Sequence, residues 1–106
     1  MTFQTSEEFD RQFKRLFKKY HSLIADLLQL KQELEINPYE GDALGGNCYK
    51  VRMAITSKGK GKSGGARVIT CIKIENDTIH LLTIFDKSDI ENISDKYLDS
   101  LRKDIE

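Results

Sequence analysis

The spacing of apolar residues changes once along this chain, and that change limits the folds available to it. Up to about Ile36 the apolar residues recur at the 3.6-residue period of helices, and from Tyr49 they alternate at the period of two that is typical of strands. Asn37-Pro38 stops the helical pattern, and residues 37–47, with the only proline and three glycines, are predicted to form a loop. The chain should therefore fold as helices followed by a sheet.

Two helices are predicted before the loop. Thr5, followed three residues later by Glu8, has the pattern of a capping box that opens a helix, and Met1 to Gln4 can form a short strand before it. Ser22 is predicted to cap the second helix, so the two helices form an antiparallel hairpin with its joint near Tyr20 to Ser22. The residues at helical spacing are Phe9, Phe13, Leu16, Phe17 and Tyr20, then Ile24, Leu27, Leu28, Lys31 and Leu34.

Three strands are predicted after the loop. In the first, apolar residues from Tyr49 to Ile55 alternate with polar ones, so that Lys50 and Arg52 lie side by side on one face. The second strand runs from Ala66 to about Glu75. An Asn76-Asp77 turn joins it to a third strand from Thr78 to Lys87.

A last helix is predicted to begin at a Ser94 cap and to turn Tyr97, Leu98, Leu101 and Ile105 inward. The order of elements indicates an α+β domain in which an N-terminal helical hairpin packs on a small antiparallel sheet. If the helices cover mainly one face of the sheet, the uncovered face is the place for a ligand.

The composition fits one domain over residues 1–106, with 39% hydrophobic and 32% charged residues. The N-terminus lacks an apolar targeting segment, and no apolar run approaches the roughly 20 residues of a membrane span, so we predict a cytoplasmic protein with no membrane partner. Cys48 and Cys71 lie in apolar runs and are predicted to be free, buried thiols. With His21 and His80 they show no zinc-site spacing, so no metal or cofactor is predicted.

Positive charge is concentrated in one part of the chain. Between Lys50 and Arg67 there are six cations and no acidic residue, although the whole chain carries 17 residues of each sign. The segment from Lys58 to Arg67 adds four glycines, so ammonium groups and bare backbone N–H groups can surround a phosphate. Nucleic acid is therefore the first partner to consider. The residues predicted to bind RNA in this loop are Lys58, Lys60, Lys62, Ser63, Gly64 and Gly65.

The basic loop has two other interpretations. It can be a solvated hairpin connection that charge keeps soluble. Gly61-Lys62-Ser63 also matches the last three residues of a nucleotide-binding P-loop. That motif needs a glycine at the position of Thr56 and a helix after the loop, where a strand is predicted here. A nucleoside triphosphatase is therefore rejected.

Three segments together resemble the RelE/ParE superfamily of bacterial toxins, and RelE/HigB-like members in particular. They are Cys48 to Arg52, the Gly-Lys-Ser-Gly-Gly-Ala-Arg-Val of Gly61 to Val68, and the apolar hairpin that ends in Asp86-Lys87-Ser88. The resemblance covers nearly the whole chain. It implies a RelE-like fold and the toxin of a type II toxin–antitoxin system, an enzyme that cuts mRNA, commonly in the ribosomal A site, until an antitoxin neutralises it.

The resemblance also implies catalytic positions. Lys50 and Arg52 match the basic pair of the family, Arg67 matches its phosphate-stabilising arginine, and Lys87 matches a further basic position. Attack of a ribose 2′-OH on the adjacent phosphate needs a proton acceptor, cations for the phosphorane and an acid for the leaving oxygen, and it needs no metal. Lys50 can act as the base if neighbouring cations lower its pKa.

The chain also departs from the family. Many RelE members have a second arginine and a tyrosine toward the C-terminal end of the sheet, where this chain has Phe85, Ser88 and Ser94. Two other functions therefore stay open: a ParE-like protein that poisons DNA gyrase without cleaving anything, and a catalytically silent RNA-binding module. An antitoxin helix is expected to cover the basic sheet face or to displace the helix from Ser94 to Ile105.

Overall fold

The computed structural model describes residues 1–90 and 92–105 and contains a five-stranded sheet and three α-helices. In chain order the elements are β1 (Thr2–Thr5), α1 (Glu7–Phe17), α2 (Leu23–Ile36), β2 (Asp42–Gly45), β3 (Cys48–Met53), β4 (Ala66–Lys73), β5 (Thr78–Asp86) and α3 (Asp95–Lys103). The α+β class, the helical hairpin and the joint near Tyr20 to Ser22 are confirmed.

The strands are arranged in the order β1-β5-β4-β3-β2. Neighbouring strands are antiparallel except for β1, which runs parallel to β5, so the prediction of an antiparallel sheet is wrong at this edge. Strand β2 lies inside the segment predicted as loop. It is four residues long, and its sequence Asp-Ala-Leu-Gly has no apolar alternation, so only pairing with β3 makes it a strand.

The cap of α1 is Ser6, one residue after the predicted Thr5. The Ser6 hydroxyl oxygen accepts a hydrogen bond from the Phe9 N–H at 3.0 Å and donates one to the Leu82 carbonyl at 2.8 Å. The same side chain therefore caps the helix and ties it to β5. Ser94 caps α3 as predicted, whereas the Ser22 side chain makes no capping bond and donates to Asp26 instead.

The inward face of α2 differs from the predicted one. Leu23, Leu30 and Leu34 are buried, whereas Ile24 and Leu28 are about 60% exposed. Apolar residues occur all round this helix, so sequence spacing alone did not determine which side would pack against the sheet. Asp26 is also buried on the inward side, where its carboxylate accepts hydrogen bonds from Thr56 and Ser22.

The sheet is covered on both faces. Val68 of β4 packs with α1 and α2, and its neighbour Ile69 packs with Leu98 and Leu101 of α3. Because successive strand residues point to opposite faces, α3 lies across the sheet from the other two helices. The face predicted to be uncovered is thus partly occupied by α3.

Strand β4 ends earlier than predicted. It stops at Lys73, and a 3-10 turn over Ile74–Asn76 leads into Asp77, which adopts a left-handed conformation with φ of 50°. Strand β5 ends at Asp86, one residue before the predicted end. In the described part of the chain, no helix is long and apolar enough to cross a membrane.

Candidate nucleic-acid interface

Three of the predicted catalytic cations lie on one face of the sheet. Arg52 of β3 is directly opposite Arg67 of β4, and Lys50 is one same-face position further along β3, opposite Ile69. Since Ile69 packs with α3, all three belong to the face that carries α3, toward the end that the helix leaves open. Like charges placed directly opposite one another destabilise a sheet, so this pair of arginines indicates a site for an anion.

Arg67 is nearly buried and holds the basic loop in place. Only 6% of the residue is exposed. Its guanidinium donates to the carbonyls of Lys62 at 3.1 Å, Ala66 at 3.0 Å and Ser63 at 3.1 Å. Burial lowers the pKa of Arg67, and the charge of Arg52 lowers it further. A guanidinium has five N–H donors, so donors remain for a phosphate.

Lys58 is engaged in a different contact. Its ammonium group lies 2.7 Å from the Asp86 carboxylate at the end of β5 and 5.7 Å from the centre of the Tyr20 ring. The Lys58 side chain is 11% exposed and that of Asp86 is 1% exposed. This buried ion pair anchors the start of the loop, so it disfavours the RNA-binding role predicted for Lys58.

The other loop residues form an exposed turn between β3 and β4. Lys60 is exposed, and Lys62 pairs with Glu33 of α2. Gly65 passes so close to β3 that a Cβ atom there would lie 2.2 Å from the Met53 carbonyl oxygen, and a Cβ on Gly64 would meet the Lys60 side chain. The loop is therefore fixed at its base while Lys60 and Ser63 face solvent.

Lys87 is brought to the same end of the sheet. Its backbone N–H donates to the Gly65 carbonyl at 3.1 Å, which places it beside the loop, and its side chain is exposed. None of the ion pairs found within residues 1–90 and 92–105 uses Lys50, Arg52, Lys60 or Lys87. These four cations are available to bind an anion.

A cleft of about 150 Å³ lies beside this cationic row. Lys50, Arg52 and Lys62 line it together with two carboxylates, Glu40 and Asp42. Asp42 is directly opposite Lys50 in the β2–β3 pairing. These acidic residues were not predicted from the sequence, because they lie in a segment that was expected to be loop.

Neither Tyr49 nor Tyr97 lies in the cationic row. Phe85 is the neighbour of Arg67 on β5. The Tyr97 hydroxyl lies 3.1 Å from the Thr83 hydroxyl and donates to Glu8 at 2.9 Å, so it packs α3 as predicted. Tyr49 packs with the α1–α2 side of the sheet, also as predicted.

The histidine and cysteine residues of the sheet lie beyond Lys50, toward the other end of the same face. His80 is opposite Cys71 on β5, and burial lowers its pKa. Cys48 and Cys71 are both free and buried, as predicted, but they are direct cross-strand partners rather than isolated residues. Within the described residues, no three or more His, Cys, Asp or Glu side chains are grouped so as to hold a metal ion.

Known proteins share both the sequence pattern and the fold. The family model described as the RelE toxin of the RelE/RelB toxin–antitoxin system matches residues 9–104. Among solved structures, a mutant of the E. coli toxin RelE in the free state has a TM-score of 0.64 at 14% sequence identity, covering 96% of this chain and 95% of that chain. At that identity the structural match shows the fold.

The molecule is thus an α+β protein of the RelE fold with a cationic patch at the open end of its sheet. Because the family model spans most of the sequence, the chain belongs to the RelE toxin family of toxin–antitoxin systems. The resemblance found in the sequence is confirmed.

Proposed function

We propose that this protein is an mRNA endonuclease that inhibits translation, and that an antitoxin neutralises it. The observation that carries the proposal is the cross-strand pair of Arg52, which is exposed, and Arg67, which is nearly buried, with the half-buried Lys50 beside it. Two arginines held opposite each other cost free energy of folding unless an anion binds between them. A phosphate of a single-stranded RNA is the anion that suits an open row of cations.

The proposed reaction is attack of a ribose 2′-oxygen on the adjacent phosphorus, which breaks the bond to the 5′-oxygen of the next nucleotide. Arg52 and Arg67 stabilise the negative charge that develops on the phosphorane. The neutral amine form of Lys50 accepts the 2′-hydroxyl proton, and the ammonium group of Lys87, just after β5, protonates the leaving oxygen. Glu40 and Asp42 line the same cleft as Lys50, so a carboxylate is the second candidate for the proton acceptor.

Lys60, Lys62, Ser63, Gly64 and Gly65 are proposed to bind the RNA backbone on either side of the cleaved phosphate. The loop is exposed and is anchored by Arg67, so it can contact RNA without first being ordered. The ribosomal A site is the proposed place of cleavage. The antitoxin is proposed to present acidic groups to the same patch, so that inhibition and RNA binding exclude each other.

The competing function is that of a gyrase poison, and one observation favours it. The cationic row lacks a tyrosine, and Phe85 stands beside Arg67. A protein that acts only by binding gyrase has no need of a proton donor or acceptor at this position.

Induction in bacteria with mapping of mRNA 5′ ends tests the proposal. Wild type is compared with Arg52→Ala, because Arg52 is exposed and we expect its removal to leave the fold intact. Arg11→Ala is the matched control, since Arg11 is an exposed arginine of α1 that pairs with Glu8 of the same helix. We expect new cuts at regular positions in reading frames for wild type and for Arg11→Ala, and few or none for Arg52→Ala.

Growth arrest with intact mRNA would overturn the nuclease proposal, and accompanying DNA damage would establish the gyrase poison. If Arg52→Ala cleaves mRNA as well as wild type, the cationic row is not part of the cleavage site. In a strain where wild type cuts mRNA, three further variants identify the proton acceptor: Lys50→Arg, Asp42→Asn and Glu40→Gln. Arginine keeps the positive charge of Lys50 but cannot accept a proton. Loss of the acceptor abolishes cleavage while RNA binding persists.

A further inference from the structure

Two cysteines form a cross-strand pair beneath α3, at the opposite end of the sheet face from the cationic loop. Cys48 of β3 and Cys71 of β4 are directly opposite each other. The Cys48 Sγ atom lies 3.8 Å and the Cys71 Sγ atom 3.6 Å from the same carbonyl oxygen, that of Gly46. Directly paired residues of antiparallel strands have Cα atoms about 4.5 to 5.5 Å apart, within the range that a disulfide requires.

A single arginine of α3 contacts the first of these sulfurs. The Arg102 Nε–H donates to Cys48 Sγ at 3.4 Å, and Arg102 Nη2 donates to the Gly45 carbonyl at 2.6 Å. The Arg102 Nη1 atom is 3.8 Å from Asp99. A guanidinium bonded to a sulfur favours the thiolate, which is the nucleophilic form of cysteine.

The two sulfurs also differ in acidity, and the difference fits separate roles. A hydrogen bond from the Cys71 thiol lowers the pKa of Cys48, Arg102 and Lys73 lower it further, and burial opposes them. The hydrogen bond to Cys48 and burial both raise the pKa of Cys71. Cys48 is therefore the attacking sulfur and Cys71 the one that stays protonated until it resolves the product.

A small cleft opens on the Cys71 side of the pair. It has a volume of about 180 Å³ and is lined by Gly46, Cys71, Lys73, Arg102 and Ile105. Cys48 is fully buried and is not part of this lining, and Cys71 is 4% exposed. An oxidant must therefore be small enough to pass Cys71 before it reaches Cys48, and hydrogen peroxide has that size.

We propose that Cys48 and Cys71 are a peroxide-sensitive pair that closes to an intramolecular disulfide, with Arg102 as the positioning residue for the Cys48 thiolate. The thiolate attacks one oxygen of hydrogen peroxide, an S–O bond forms, the O–O bond breaks and hydroxide leaves. The Cys71 sulfur then loses its proton and attacks the Cys48 sulfur, an S–S bond forms and the S–O bond breaks. The second hydroxide takes up this proton as water, so the sulfur pair loses two electrons and peroxide gains them.

Closure has a structural consequence for α3. A disulfide sulfur carries no charge, so oxidation removes the charge-assisted hydrogen bond between Cys48 and Arg102. Arg102 then keeps its hydrogen bond to the Gly45 carbonyl of the sheet. Cys48 is also two residues from Lys50 on the same face of β3. The pair therefore connects oxidation with the docking of α3 beside the cationic row.

Mass spectrometry of the full-length protein tests the proposal. Reduced protein is exposed to increasing hydrogen peroxide, quenched in denaturant with N-ethylmaleimide and digested with trypsin. We expect loss of both free thiols, a cross-link between peptides 32–50 and 68–73 that dithiothreitol reverses, and no covalent dimer. Two free thiols at excess peroxide, or a dimer in place of the internal cross-link, would overturn the proposal without bearing on RNA cleavage.

Single variants assign the roles of the residues. Dimedone, which reacts with sulfenic acid, is added together with denaturant after the peroxide, so that it reaches both buried sulfurs. It should label Cys48 in Cys71→Ser and should leave Cys71 unlabelled in Cys48→Ser. Arg102→Gln should slow oxidation several-fold and move the rising limb of its pH–rate profile to higher pH, and Arg102→Lys should restore part of the rate. Lys73 and His80 also face the pair and are unchanged in all variants. The assigned roles would be contradicted by equal labelling of the two cysteines, or by an Arg102→Gln pH–rate profile that matches the wild-type profile. Thermal melts show which variants are folded.

Discussion

A single buried carboxylate joins the end of β5 to the start of the basic loop. Asp86 accepts hydrogen bonds from Lys58 at 2.7 Å, from the Tyr20 hydroxyl at 3.1 Å, and from the N–H and hydroxyl of Ser88 at 3.0 and 2.8 Å. A buried charge is tolerated when it is paired and fully hydrogen-bonded in this way. Lys58 was assigned to RNA from the sequence because its partner is 28 residues away, and no local pattern reveals such a pair.

Removing this carboxylate should destabilise the fold. Asp86→Asn leaves Lys58 as a nearly buried ammonium group without its counter-charge, which we expect to cost about 3 kcal/mol in the free energy of unfolding. Urea denaturation at neutral pH measures the difference. Asp89→Asn is the matched control, because Asp89 is exposed nearby and should change stability little. A loss in Asp86→Asn no larger than that in Asp89→Asn would contradict the role of the pair.

The same residue predicts an acid limit to stability. Burial raises the pKa of Asp86, but hydrogen bonds from Lys58, Ser88 and Tyr20 outweigh it and lower the pKa to about 2. Since the unfolded value is about 3.9, the carboxylate contributes its full stabilisation, about 2.5 kcal/mol, above that pH, and the contribution is lost as the pH falls toward the folded value. Urea midpoints measured across this window should fall more steeply in wild type than in Asp86→Asn, and parallel curves would refute the linkage.

At the scale of elements, the β3–β4 connection depends on close approach at one glycine and on backbone conformation at another. A Cβ on Gly65 would lie 2.2 Å from the Met53 carbonyl oxygen and 2.8 Å from the Ile55 nitrogen, both backbone atoms that cannot turn aside. Gly61 has φ of +67°, but a Cβ added there would meet no atom within 4 Å. An alanine at Gly65 therefore tests steric contact, and an alanine at Gly61 tests conformational strain.

Gly65→Ala should accordingly destabilise the protein more than Gly61→Ala. The second change costs about 1 to 2 kcal/mol, because an alanine must adopt a left-handed conformation there. The first change carries no such conformational cost, but it must push β3 and the loop apart, which displaces the carbonyl groups that Arg67 holds. Urea denaturation compares the free energies of unfolding. A loss in Gly65→Ala that is no larger than that in Gly61→Ala would contradict the expected order, and no loss at all would show that the contact at Gly65 relaxes without cost.

The sequence predicted the long helices and strands. It did not predict the features that depend on contacts with distant parts of the chain. The alternation around Lys50 and Arg52 was enough to place both side chains on one face, because the period of a strand is a local property. Strand β2 was missed because Asp42 to Gly45 carries no strand pattern and is held by its neighbour. The phase of α2 was wrong at Ile24 and Leu28 because that helix offers apolar residues on every side. The position of α3 on the second face had no local signal.

For the molecule as a whole, a net charge of zero conceals a separation of charge that the fold creates. Strand pairing adds Arg67 to the pair formed by Lys50 and Arg52, and the contact between Lys87 and Gly65 brings a further cation from the end of β5. The pairing of Cys48 with Cys71 is of the same kind, since the two residues are 23 positions apart in the sequence and meet only through the β3–β4 register. The residues that make up a site were therefore predictable from the sequence where a single strand or loop supplies them.

The separated charge predicts how RNA binding responds to salt. Each phosphate contacted on a single strand should add about −0.7 to the slope of log affinity against log salt, so loss of one contact in Arg52→Ala should make the slope shallower by about that amount. Arg11→Ala should keep the wild-type slope, because Arg11 is an exposed residue of α1 that pairs with Glu8 of the same helix and does not belong to the row. Fluorescence anisotropy with a labelled, uncleavable 2′-deoxy or 2′-methoxy oligonucleotide measures the three slopes. A slope near zero in wild type would exclude an electrostatic interface, and equal reductions in both variants would mean that RNA binds to charge over the whole surface rather than to the row formed by β3 and β4.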